Sequence, residues 1–375
     1  MPLDRRQFIL SSSAAAGLVA FPGFLTAGID AASRPLNILV LGGTGFLGPH
    51  TVEYALARGH KITLFNRGRT NKDLFPELPK IVGDRDPDKG KGLTGLQGKQ
   101  WDAVIDTSGY VPRLVEASSR LLAPNVKQYL FVSTICQYDN WAEGGTNGTE
   151  NRPPATLEDP KTEDVRQHYC ALKAYCEKAA EKSMPGRVTQ IRPGLIVGPR
   201  DKTDRFTYWP VRFNRGGKIL LPGKPDDVTQ FIDVRDLAKF MIHTLEKNLT
   251  GSFNLVQPTM PFGKLVESCK KVAAPKSEYT WVPADFLSQN DVQPWRDIHM
   301  WADKESAGAG ALTWSSQKAI DAGLTFTPID KTVEDTLAWF QSLPAKRQEK
   351  LRAGMSLEKE SKVLNAWSLE KNKMA

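Results

Sequence analysis

Residues 36–50 read LNILVLGGTGFLGPH, and the reading of these positions sets the reading of the chain around them. LNILVL is a short continuous apolar run, the pattern of a strand buried on both faces. FLGPHTVEYALARG, residues 46–59, follows with helical spacing and closes on Gly59. Between strand and helix, Gly42, Gly45 and Gly48 stand three apart. Glycine lets the backbone turn tightly and approach a pyrophosphate, whose charge then meets the N–H groups and positive dipole end of the helix. The context predicts dinucleotide binding; a glycine-rich turn with no ligand is the alternative the motif leaves.

Working outward, HKITLFN (60–66), KIVGD (80–84), WDAVIDTS (101–108), VKQYLFVST (126–134) and RVTQIRPG (187–194) read as further strands. Helical spacing falls at PRLVEASSRLLA (112–123) and VRQHYCALKAYCEKAAEKS (165–183). This alternation predicts an α/β fold, a doubly wound parallel sheet with helices on both faces. The stretch from Asp139 to Gln167, rich in Gly, Pro and acids, reads as a long functional loop. Beyond Pro199 the elements shorten: a helix around FTYWPVRFNRGG (206–217), then TQFIDVRDLAKFMIHTLEK (229–247) and the strand GSFNLV (251–256). From residue 258 onward Trp281, Trp295, Trp301, Trp314, Trp339 and Trp367 appear among Pro and Gly, which predicts a smaller, irregular second lobe. Residues 356–375 read as an amphipathic helix with a frayed basic tail. The expected division is a nucleotide-binding domain over 35–199, with 229–256 packing back onto it, and a substrate lobe with C-terminal helices over 200–375.

The second strand ends in LFNRGRT, where Asn66 and Arg67 stand in place of the acid that a NAD-selective site offers to ribose hydroxyls. A guanidinium there pairs with a 2′-phosphate, which favours NADP over NAD. Alternatively, Arg67 and Arg69 point to water. Asp84, at the end of the third strand, either meets the adenine or caps a turn.

HYCALKAYCE puts Tyr169 and Lys173 four apart on a helix, hence on one face. A neighbouring ammonium, with the positive charge of an oxidised nicotinamide, favours the phenolate and is expected to bring Tyr169 toward the range useful for general acid–base work. Lys173 is also expected to hold ribose hydroxyls. Ser133 and Thr134, at the carboxyl end of a predicted strand, supply a hydroxyl to orient a substrate oxygen.

MPLDRRQFILSSSAAAGLVAF opens the chain, with Arg5 and Arg6 before a short, Ala/Ser-diluted apolar segment. It resembles a bacterial twin-arginine signal, which exports folded proteins, so residues 1–32 are expected to be a signal and the mature chain periplasmic. A basic N-terminus or an uncleaved anchor on a cytoplasmic protein is the alternative. No apolar run of eighteen or more follows, which excludes an integral span in the mature chain. The formal charge is +8, but Lys and Arg are scattered. That distribution makes a solvated face, not nucleic acid, the expected outcome. Cys136, Cys170, Cys176 and Cys269 show no metal-ligand spacing and read as reduced small hydrophobes, so no metal and no disulfide are expected.

The order of GGTGFLG, FVST, YCALKAYCE, IRPGLIVGPRD and FIDVRDLA from about Leu36 to Val256 resembles the short-chain dehydrogenase/reductase superfamily. The similarity is to its extended or atypical branch of NAD(P)-dependent epimerases, dehydratases and reductases, including 2′-hydroxyisoflavone-reductase-like proteins and chloroplast stem-loop RNA-binding relatives. The resemblance implies an NAD(P)-binding Rossmann domain, catalysis by Tyr169, Lys173 and Thr134, and a small-molecule substrate; a homodimer is compatible with it. Cofactor contacts are implied at Gly42, Gly45, Phe46, Leu47, Gly48, Asn66, Arg67, Asp84, Thr107, Lys173 and Pro193. Gly194 joins Pro193 on the nicotinamide side, and Arg200 and Asp236 are expected to shape the cleft mouth. Two departures stand out: Cys170 replaces the family's usual Gly after the tyrosine, and the acid after the second strand is absent.

An exported enzyme meets little free NAD(P)H, so the expected chemistry is redox-neutral, with a retained cofactor returning its hydride to a sugar-like or phenolic substrate. The rivals are a conventional NADPH-dependent reductase and a non-catalytic RNA-binding or nucleotide-sensing protein.

Overall fold

Asn37–Leu41 (β1) forms the centre of the fold, with Ile38, Leu39, Val40 and Leu41 fully buried. The computed structural model describes residues 29–142 and 148–374. The twin-arginine stretch lies outside the described residues. Side chains alternate along β1, so Ile38 and Val40 enter one apolar cluster while Leu39 and Leu41 enter another on the opposite face. Each such side chain contributes about 1.5–3 kcal/mol by its burial.

Lys61–Asn66 (β2) pairs in parallel with one edge of β1 and Trp101–Asp106 (β4) with the other. Lys80–Val82 (β3) lies outside β2, while Val126–Val132 (β5), Val188–Pro193 (β6) and a seventh strand, Gly251–Leu255, extend the sheet beyond β4. All seven strands run parallel. Helices Leu47–Ala57 (α1) and Val234–Glu246 (α5) cover one face, and Pro112–Leu122 (α2) and Val165–Ser183 (α3) the other. Pro112 starts α2 with its φ already set for a helix, and the Asp164 carboxylate caps α3 by accepting from the N–H groups of Arg166 and Gln167 at 2.9 and 3.3 Å.

The chain winds from β1 outward to β3 and then returns to β4 on the other side of β1. Connections leaving β1 and β4 therefore diverge, and a crevice opens at the carboxyl ends of these strands. Residues after β6, Arg205, Gln230 and Trp295 among them, also line it, and a separate apolar cluster joins Trp209, Phe213, Phe262 and Trp301 around a parallel pair formed by Lys218–Pro222 and Glu278–Val282. Among the described residues no helix is long and apolar enough to cross a membrane, and no group of three or more His, Cys, Asp or Glu could hold a metal ion.

Candidate active site

A cleft of about 590 Å³ lies at the carboxyl ends of the strands, a volume suited to a small organic ligand. Three glycines shape one end for three different reasons. Gly42 has φ +111°, and a Cβ there would lie 2.5 Å from Thr107 Oγ1. At Gly48 a Cβ would lie 2.4 Å from the backbone carbon of Gly43, so only glycine lets α1 pack this close. Gly45 is exposed to the cleft and has nothing within 4 Å of where its Cβ would be. The N-terminus of α1 carries no side-chain cap and no acid in its first turn. Its free N–H groups, with the space before Gly45, fit a dinucleotide's pyrophosphate. Ser133 adds a buried hydroxyl in the cleft wall that has no hydrogen-bond partner.

Phe46, Leu47, Thr107, Pro193 and Gly194 also line the cleft. Thr107 Oγ1 donates to the Leu41 carbonyl at 3.0 Å, tying β4 to β1. Asn66 is committed to the loop itself: Nδ2 donates to the Gly42 carbonyl at 3.1 Å and Oδ1 accepts from Gly68 N–H at 2.9 Å. Arg67 is exposed at the end of β2, and the Asp84 carboxylate accepts from Asp86 N–H at 3.0 Å. None of these three is among the residues lining the main cleft.

Thr134, Tyr169 and Lys173 meet in the opposite wall. Thr134 lies two residues beyond β5 and caps a short turn, Ile135–Gln137, its Oγ1 accepting from Cys136 N–H at 3.3 Å. The same hydroxyl lies close enough to the Tyr169 phenol to favour its ionised form. Lys173 is buried and donates to the carbonyls of Gly109 and Val132, both at 2.6 Å, with its ammonium over the rings of Phe131 and Tyr110. Burial pushes this ammonium down to about 8. The Tyr169 phenol is pushed up to about 12, first by burial and then by Tyr110, against the pull of the Thr134 hydroxyl and the charge of Arg205. Lys173 by itself, without the charge of an oxidised nicotinamide, does not draw the phenol toward acidity. Its ammonium is turned onto two strand-end carbonyls, and desolvation by the cleft wall is the first cause acting on a tyrosine that is still 36% exposed.

The cysteines require a correction. Cys136 and Cys170 form a disulfide in the cleft wall, while Cys176 and Cys269 are buried thiols. Behind this wall Tyr169, Lys173 and Glu177 share one face of α3. Glu177 accepts from Arg192 of β6 at 2.6 Å, and Arg192 donates to the Tyr138 hydroxyl, also at 2.6 Å. Tyr138 in turn donates to Asn254 Oδ1 at 2.7 Å and stacks on Trp314. This buried chain of hydrogen bonds locks α3 to the strands that carry the site.

Farther out the cleft is lined by Trp141, Asp201, Thr203, Arg205, Gln230 and Trp295. Arg200 and Asp236, expected at the mouth, are not among the lining residues. Arg200 pairs with Glu53 of α1 at 2.8 Å, and Asp236 accepts from Thr327 Oγ1 at 2.7 Å. Sequence reading missed Tyr110, Asp201 and Arg205. Tyr110 could have been found four residues after the end of β4, where the other cleft residues follow their strands.

Over residues 38–255 the chain matches the NAD dependent epimerase/dehydratase family. It is 26% identical to the chloroplast stem-loop binding protein of 41 kDa b of Arabidopsis thaliana, covering 78% of this chain and 79% of that one. It is 24% identical to the N-acetyl-alpha-D-glucosaminyl-diphospho-ditrans,octacis-undecaprenol 4-epimerase of Escherichia coli O157:H7, over 58% and 66% of the two chains. Among solved structures, the Bordetella bronchiseptica enzyme WbmG in complex with NAD and UDP superposes with a TM-score of 0.57 at 18% identity, covering 86% of this chain and 99% of that one. With the glycine cradle, the strand-end hydroxyls and the Tyr169–Lys173 pair converging on one cleft, the match over more than half its length means that this chain belongs to the NAD dependent epimerase/dehydratase family.

Proposed function

We propose that this protein is an NAD(P)-dependent oxidoreductase of the epimerase/dehydratase type. It acts at a carbinol or ketone carbon of a sugar-like small molecule and keeps its cofactor through a redox-neutral cycle. The observation that carries this reading is the meeting of Thr134, Tyr169 and Lys173 across the cleft from the open space at Gly45. A bound nicotinamide dinucleotide supplies a hydride acceptor and donor, and in its oxidised form a positive charge. Gly42, Gly45, Gly48 and the N-terminus of α1 would hold its pyrophosphate, and Thr107, Lys173 and Pro193 would line the rest of its path. Thr134 orients the substrate oxygen. Tyr169, pushed up to about 12, keeps its proton at neutral pH and so donates it to that oxygen unless further positive charge is brought to the ring.

Trp141 and Trp295 offer ring faces on which sugars stack, and Arg205 offers a cation beside them. A relative named as a 4-epimerase and a structural neighbour solved with NAD and UDP support a sugar over a phenolic substrate. Arg67, exposed at the end of β2, supports NADP as the cofactor. Retention of the cofactor follows from the export reading of Arg5 and Arg6, with the periplasm as the working compartment.

The test is to purify the exported protein, denature it and identify what is released by mass spectrometry. Stoichiometric NAD(P)+ is the expected result; an empty protein that exchanges NADPH freely points instead to a conventional reductase. Tyr169→Phe is expected to retain nucleotide and lose turnover on the responsive sugar by at least about a hundredfold. Undiminished turnover removes Tyr169 from the mechanism. The likeness to a stem-loop binding protein favours one second reading, polynucleotide binding, which predicts steeply salt-dependent RNA affinity indifferent to Tyr169→Phe.

A further inference from the structure

The disulfide between Cys136 and Cys170 spans 34 residues of sequence and sits between the two segments that carry the acid–base pair. Cys136 lies two residues after Thr134, and Thr134 Oγ1 is 3.6 Å from the Cys136 sulfur. Cys170 directly follows Tyr169. One covalent bridge therefore ties the segment of the strand-end hydroxyl to the segment of the phenol, both lining the same cleft.

Local structure leaves both segments in need of such a tie. His168, with φ −120° and ψ 23°, breaks the helical geometry of α3 one residue before Tyr169, so Tyr169 begins the regular part of the helix without a continuous turn ahead of it. Thr134 belongs to an irregular three-residue turn rather than to β5. Both cysteines line the cleft, Cys136 buried and Cys170 half-buried, so the Cys170 side of the bridge is the one a small thiol meets first. Cys176 and Cys269 are fully buried, and burial pushes both thiols up, Cys176 to about 12, so neither competes in exchange.

We propose that the Cys136–Cys170 disulfide is a redox-dependent positioning element. Closed, it fixes Thr134 against Tyr169; open, it leaves the cofactor cradle intact and the acid–base pair unaligned. The inference rests on the catalytic reading of Tyr169 given above. Closure is a thiol–disulfide exchange: the Cys136 and Cys170 thiols and one disulfide R–S–S–R give the Cys136–Cys170 disulfide and two R–SH. One cysteine thiolate attacks R–S–S–R to form a mixed disulfide and expel RS⁻, and the other displaces the second RS⁻; two electrons and two protons pass to the oxidant, a protein or low-molecular-weight disulfide. A chain that folds among reduced thiols thus binds its dinucleotide without turning over, and becomes competent on reaching an oxidising compartment.

The full chain tests this. Alkylation of the unfolded, unreduced protein should tag two cysteines, Cys176 and Cys269; tagging of all four means the bridge is absent and overturns the proposal. The readout of positioning is the titration of Tyr169, followed by NMR of 13C-labelled tyrosine with the resonance assigned through Tyr169→Phe. Thr134, Arg205, Cys176 and Tyr110, whose ring lies 6.2 Å from that of Tyr169, are the groups that act on that phenol, and Lys173 stands over the Tyr110 ring beside it. With NAD+ bound, the oxidised protein should titrate below its NAD+-free midpoint. Reduction by dithiothreitol should raise the NAD+-bound midpoint by about one pH unit or more. Its NAD+ affinity should stay within about threefold, a change of under about 1 kcal/mol. Reoxidation by glutathione disulfide should restore the midpoint. The double variant Cys136→Ala/Cys170→Ala should match the reduced protein, and if it does not fold, the reduced parent supplies the comparison. Equal midpoints in the oxidised and reduced proteins overturn the proposal even if the melting temperature falls, since the bridge is then a staple alone. Loss of the fold or of NAD+ binding on reduction also overturns it. If NAD+ moves the midpoint in neither state, the catalytic reading of Tyr169 itself fails and the proposal falls with it.

Discussion

Replacing Gly45 or Gly48 by alanine adds the same methyl group three residues apart, yet the structure assigns the two changes different consequences. At Gly48 the new Cβ would stand 2.4, 2.6 and 2.7 Å from backbone atoms of Gly43. Carbon atoms in contact need about 3.5 Å, so α1 must retreat from the strand-end loop by about 1 Å. The atoms struck are backbone, and no side chain can swing aside. Overpacking of this kind costs about 2–3 kcal/mol, and it opens the seam that shapes the nucleotide cradle. At Gly45 nothing lies within 4 Å, and the residue faces the cleft. Gly45→Ala should therefore leave the stability of the nucleotide-free protein within about 0.5 kcal/mol of the parent. It should nevertheless weaken NAD(P)+ binding by at least about tenfold, or about 1.4 kcal/mol, because the methyl group occupies the approach of the pyrophosphate to the helix N-terminus. Urea unfolding followed by tryptophan fluorescence measures the first quantity, and calorimetric titration of nucleotide-stripped protein the second. The reasoning is refuted if Gly45→Ala destabilises the protein as much as Gly48→Ala, or if it binds the dinucleotide as tightly as the parent.

Glu177→Gln leaves the Arg192 guanidinium buried beside a neutral partner, and should lower unfolding free energy by about 3–5 kcal/mol, read as a drop in urea midpoint at constant slope. Adding Arg192→Met should recover much of that loss; a double variant weaker than the single one contradicts the buried-pair account. His50, on the buried face of α1 with Nε2 2.9 Å from the Pro199 carbonyl, is pushed down to about 4, first by burial and then by the charge of Arg200. The unfolded chain binds a proton there near pH 6.5 and the folded chain does not, so stability falls as pH drops from about 6.5 to about 4, by about 3 kcal/mol in all. Chemical unfolding across that window should show a shallower acid limb for His50→Gln than for the parent.

Local pattern made the strand–loop–helix unit readable: the unbroken apolar run of β1 could only be a strand covered on both faces, and the three glycines followed it at the spacing a turn into a helix requires. The same logic placed Tyr169 and Lys173 on one face of α3, and Ser133 and Thr134 at a strand end. What spacing could not convey was environment. Proximity of an ammonium suggested a more acidic phenol, whereas the fold turns Lys173 onto Gly109 and Val132 and lets burial raise the ring. Long-range partners were equally hidden. Nothing local to Cys136 points to Cys170, and nothing near Arg200 indicates that it pairs with Glu53, 147 residues away, instead of the neighbouring Asp201 or Asp204. The tryptophans divided in a way composition does not disclose: Trp301 and Trp314 fill interior space, while Trp295 borders the cleft with a partner, Trp141, from the long loop.

Where the described chain begins also matters. Ala32 N–H donates to the Arg58 carbonyl at 2.8 Å, and the Arg58 side chain holds the Asp30 carbonyl, at the corner between α1 and β2. That corner lies at the floor of the sheet, at the opposite pole from the ligand-facing ends of its strands. A handle fused directly to residue 29 would therefore be attached at the pole opposite the cleft, and immobilising the protein through that point should leave access by its ligands unchanged.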